Sequence, residues 1–75
     1  MEEDRKWAQR RKRSELVRGF LSGKVSDRVC LLISRYYLWG YLEEPLDTLT
    51  DEQLLKVKWI GQKTVNELRT VIPAP

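Results

Sequence analysis

With 75 residues, one cysteine, no histidine, and 14 Lys/Arg against 11 Asp/Glu, the chain is read as one small domain that buries only about 60% of its unfolded surface. The missing histidine excludes a His-based metal site, a His proton shuttle and Ser-His or Cys-His nucleophiles, and the single Cys30 excludes an internal disulfide framework. The formal charge of +3 is uneven, since residues 1–24 hold eight Lys/Arg and four acids, and residues 25–75 hold six and seven.

No stretch approaches the roughly 20 apolar residues of a membrane span. The N-terminus is charged from Glu2 onward and lacks the apolar core of a signal peptide. A soluble, cytoplasmic protein with no membrane partner is expected.

Residues 1–13 are mostly charged and read as a basic arm, flexible or helical. Arg10, Arg11, Lys12 and Arg13 form its cationic run, which is suited to following phosphates and releasing their counterions. A helical domain is expected over residues 14–75. Ser14 is placed as an N-cap, and Leu16, Val17, Phe20 and Leu21 share one apolar helical face. Gly23 is the stop.

Ser26 opens the next helix, with Asp27 in its first turn and Val25 and Cys30 as a hydrophobic staple. Val29, Leu32, Ile33, Tyr36 and Tyr37 follow the spacing of a buried face. Arg28, Leu31 and Arg35 fall on another, exposed face. Gly40 and Pro45 end the run, and one turn is expected at residues 46–48. Thr50 and Gln53 make a capping box, with Leu49 and Leu54 as its staple. Leu54, Leu55 and Val57 are placed inward. A last helix runs from Gln62 to about Ile72, with Val65, Leu68 and Ile72 inward, and Pro73 stops it. There is no strand signal.

The chain is organised around residues 54–68, where a short apolar helix end runs into a turn at Gly61 and a second helix opens with Gln62, Lys63 and Thr64. Free amides at a helix start and the positive end of its dipole accept anions, phosphates above all. Gly61 is assigned the turn, since glycine permits a positive φ and lets another backbone come close. Lys56, Lys58, Lys63 and Arg69 make a local cationic cluster.

Trp59-Ile60-Gly61 resembles the turn of a helix-hairpin-helix over residues 50–72, with Trp59 where that motif carries a small residue or Gly. Leu54-Leu55, Ile60-Gly61, Lys63-Thr64 and Glu67-Leu68, with Val25-Ser26-Asp27-Arg28 upstream, resemble the C-terminal domain of the bacterial RNA polymerase alpha subunit over residues 25–72. The resemblance implies an all-α fold, a small compact bundle of four to five short helices. It also implies a transcription module that contacts the phosphate backbone and minor groove of duplex DNA through Arg28, Gly61, Lys63 and Thr64. Lys58 and the arm residues Arg10 to Arg13 add to that contact set. Glu67 is then an acidic neighbour for a protein partner.

Two departures point elsewhere. Leu31 and Trp59 stand where that family carries Asn, and each replaces a polar contact group by apolar surface. The alternative is a protein-interaction adaptor of the transcription machinery, which docks on RNA polymerase or a transcription factor through Leu31, Trp59 and Glu67. No motif sets a nucleophile beside a base, so neither an enzyme nor a cofactor or metal is expected. Gly61-Gln62-Lys63-Thr64 lacks the upstream Gly and preceding strand of a nucleotide-binding loop.

Overall fold

The structure, a computed structural model, describes residues 2–75. It is all-helical, with α1 over Glu2–Leu21, α2 over Asp27–Trp39, α3 over Asp51–Leu55 and α4 over Gln62–Arg69, and no strand among the described residues. The chain divides into two compact units, residues 1–43 and 44–75. No helix is long and apolar enough to cross a membrane.

In the first unit α1 packs against α2. The 20 residues of α1 run unbroken through the junction of residues 13 and 14, so Ser14 is not an N-cap. Its hydroxyl donates instead to the Ser34 carbonyl at 2.7 Å and ties the middle of α1 to α2. The apolar face expected on this helix is largely outside. Leu21 is fully buried and Val17 half-buried, while Leu16 and Phe20 are exposed. A helix that points Arg10, Ser14, Val17 and Leu21 inward turns Leu16 and Phe20 away from its partner.

The second helix follows its sequence closely. The Ser26 hydroxyl accepts from the Val29 amide, and Gly40 closes the other end in the left-handed region at φ 85°, where glycine carries no Cβ penalty. Val29, Cys30, Ile33, Tyr36 and Tyr37 are buried, and Leu42 joins them from the following segment. The Cys30 thiol donates to the Arg18 carbonyl at 3.5 Å.

The second unit is built from α3, α4 and the turns around them. Thr48 donates through both its amide and its hydroxyl to the Pro45 carbonyl, which forms the expected turn and precedes a short run to the cap of α3. Thr50 and Gln53 complete a reciprocal capping box. Leu46, Leu54, Ile60, Val65 and Leu68 are buried. Leu55, placed inward by the sequence pattern, is 40% exposed, because α3 ends there after five residues and presents one side only. The regular part of α4 also stops early, at Arg69. Thr70 and Val71 bond to carbonyls three residues back, whereas Ile72 reaches Leu68. The last turn is therefore tightened rather than extended.

Arg69 is the polar centre of this unit. Its guanidinium pairs with Asp51 at 2.7 Å and donates to the Leu46 carbonyl at 3.1 Å and to the Leu49 carbonyl. The same nitrogen that reaches Leu46 lies 3.4 Å from the Ile72 carbonyl. One side chain thus holds the start of α3, the segment before it and the end of α4. Its place in a surface cationic cluster is withdrawn, since the side chain is 13% exposed and fully engaged within the unit.

Candidate nucleic-acid interface

The hairpin is built from three features in order. First, α3 gives way to a turn in which the Ile60 amide bonds to the Val57 carbonyl at 3.1 Å. Second, the residue with positive φ in that turn is Trp59, at φ 70°. Third, Gly61 is extended, at φ −103° and ψ 179°, and caps α4. The positive φ that Gly61 permits is therefore not used there, and Trp59 takes the left-handed place in the turn. A left-handed residue third in a four-residue turn has the sign pattern of a type II turn, which favours Gly or Asn at that place. Those are the two residues that the resembled motifs carry where this chain has Trp59.

Why Gly61 is glycine is not explained inside the chain. Its backbone angles are open to any residue, and a Cβ there meets nothing within 4 Å. With no side chain at the N-cap, the first amides of α4 have no capping oxygen from that residue. The helix start is thus held by Ile60, buried beneath the turn, while Gly61, Gln62 and Lys63 stay exposed. Gln62 bonds to Asn66 one turn on, at 2.9 Å.

Electrostatics favour an anion at this end. From Gln53 to Asn66 the chain carries Lys56, Lys58 and Lys63 and no acid, and all three lysines are exposed. Lys58 stands 5.5 Å from the centroid of the Trp59 ring, within cation–π range. Trp59 itself is 74% exposed.

Thr64 is buried, 2% exposed, so it packs in the second unit and leaves the contact set. Glu67 is half-buried. Arg28 and Leu31 are exposed on the first unit. The basic run of α1 is not a free arm. Arg13 donates to the Glu43 carbonyl, Arg10 lies 3.5 Å from the Glu43 carboxylate, and Arg11 faces Glu15 at 3.8 Å. Lys12 is exposed. Sequence reasoning missed the left-handed Trp59, the Arg69 hub and the part played by Glu43. Only the first had a readable signal, a bulky residue at a motif position reserved for Gly or Asn.

No family model, curated protein or solved structure matches this chain.

Proposed function

We propose that the chain is a small DNA-binding module whose second unit is a helix-hairpin-helix like that of the polymerase alpha C-terminal domain. Gly61 and the first amides of α4 hold a backbone phosphate, and Lys63 and Lys58 add charge beside it. One observation carries the reading: Gly61 is required neither by its own φ nor by any neighbour within 4 Å, and the open space it leaves lies at a helix start with no side-chain cap, in a stretch of sequence, residues 53–66, that carries three lysines and no acid. A phosphate oxygen fits that space. The motif set is Gly61, Lys63 and Lys58, with Arg28 as an exposed cation of the first unit.

The test is a titration of the full chain with a short DNA duplex at low salt, read by amide chemical shifts. Micromolar or weaker binding is expected, with shifts on the amides of residues 61–63. Lys63→Glu should weaken it about tenfold. Absence of binding at low salt rejects the reading.

A second reading, a protein-interaction adaptor without DNA contact, is favoured by Trp59 alone. A bulky side chain held at positive φ and left 74% exposed is disfavoured on both counts within the chain, and aromatic anchors of this kind concentrate interface energy. Capture of RNA polymerase or a transcription factor that disappears with Trp59→Gly supports it. Capture unchanged by that substitution ends it.

A further inference from the structure

The basic run of α1 lines a groove of about 620 Å³ that lies wholly within the first unit. Among the described residues Lys6, Arg10, Lys12 and Arg13 border it with one acid, Glu43, and Tyr37 and Leu42 contribute its apolar floor. Two features make it more than a solvated charge run. Arg10 packs on Gly40, where a Cβ would lie 2.7 Å from the centre of its guanidinium, although glycine itself is set there by its φ of 85°. The Glu43 carboxylate lies 3.5 Å from the same guanidinium. A guanidinium has N–H donors beyond the one that faces Glu43, so it can also receive a second carboxylate.

The second feature is apolar. Leu16 lines the groove and is 66% exposed. Phe20, one turn further on and 48% exposed, has the Lys24 ammonium 4.0 Å above its ring. On a helix, Lys6, Gln9, Arg13, Leu16 and Phe20 fall in one narrow stripe. It is about 20 Å long at 1.5 Å per residue, cationic at one end and apolar at the other.

We propose that this groove and stripe dock an acidic amphipathic helix of a partner protein. Its carboxylates meet Lys6, Arg10, Lys12 and Arg13, and its apolar side chains cover Leu16 and Phe20. Charge complementarity selects an acidic partner. The Leu16–Phe20 pair selects a peptide over a nucleic acid, because a sugar-phosphate backbone gains nothing from an exposed leucine. The groove belongs to the first unit and the hairpin to the second, and different residues carry the two readings, so this inference stands or falls independently of DNA binding.

The test uses the full chain and a fluorescent synthetic helix of Glu, Leu, Ala and Gln, about fifteen residues long to match the stripe. A scrambled peptide of the same composition and a DNA duplex are the competing probes. Binding of the amphipathic peptide is expected, weakened at least about tenfold by Lys12→Glu with Arg13→Glu. Leu16→Ser with Phe20→Ser should weaken it about fivefold or more, since both side chains lose apolar cover. Should the Arg13 variant unfold, Lys12→Glu alone, at an exposed position, should still weaken binding severalfold. Equal affinity for the scrambled peptide, or indifference to Leu16→Ser with Phe20→Ser, overturns the proposal by reducing the groove to bare charge. Duplex DNA that displaces the peptide and is itself insensitive to the apolar substitutions overturns it in favour of nucleic acid.

Discussion

At Trp59 the backbone and the side chain ask for different things. The turn needs φ 70°, which an L-residue adopts at a cost of roughly 1–2 kcal/mol, and three-quarters of the indole then faces water. Glycine removes the strain but loses more chain entropy, so Trp59→Gly should stabilise the protein by about 0.5–1 kcal/mol net. Chemical denaturation gives the number. A loss of stability instead would show that the indole packs usefully after all, and the case for an outside contact would fall with it. Arg69 is the opposite kind of residue. Arg69→Met keeps much of the stem but strands the Leu46 and Leu49 carbonyls and the Asp51 carboxylate, and should destabilise by about 2–4 kcal/mol. Tyr36 gives a pH prediction. Burial, and next the neighbouring Tyr41, raise its pKa above the ordinary 10.0. The folded state then resists ionisation that the unfolded chain accepts. The contribution is full below pH 10 and is lost as pH rises through the raised value. Stability should fall on the alkaline side, and Tyr36→Phe should flatten that fall in denaturation curves taken at successive pH values.

Among the elements, what could be read from sequence was what local chemistry decides. Ser26, Gly40 and the Thr50–Gln53 box set helix ends through contacts within three or four residues, and the apolar spacing of α2 reports its own buried face. What could not be read depends on partners distant in sequence. Ser14 looks like a cap until Ser34, 20 residues away, takes its hydrogen bond. Leu16 and Phe20 look like core until the inward side of α1 is set by Ser14, Val17 and Leu21. In the hairpin, the motif spacing located the candidate site, but the left-handed place falls to Trp59 rather than Gly61, although glycine is the usual carrier of positive φ. Two substitutions test the elements directly. Gly19 lies inside α1 with nothing within 4 Å of an added Cβ, so Gly19→Ala should stabilise by about 1 kcal/mol. Gly61→Asp should cap α4 and complement its dipole, which stabilises the fold by about 0.5 kcal/mol, while its carboxylate occupies the phosphate position. Thermal melting and duplex titration should therefore move in opposite directions. If DNA affinity is unmoved, the amides of α4 are not the phosphate site.

Over the whole molecule the charges separate by unit. Residues 1–43 carry ten Lys/Arg and six acids, and residues 44–75 carry four and five. A long-range attraction to DNA would thus come from the first unit, whereas the proposed phosphate contacts lie in the second. Salt dependence tells the two apart. Each phosphate neutralised contributes about 0.9 to the slope of log affinity against log salt. The hairpin exposes Lys56, Lys58 and Lys63 and has Arg69 locked in its interior, so hairpin contact alone predicts a slope between about −2 and −3. Three of the four cations in the α1 run face Glu43 or Glu15, which lowers the net charge they offer to any anion, phosphate or carboxylate alike. Lys58→Gln and Lys63→Gln should each make the slope shallower by about one, and Lys12→Gln should leave it unchanged. A slope near −6, insensitive to the two hairpin lysines, would move the DNA contact to the first unit and leave Gly61 without a ligand.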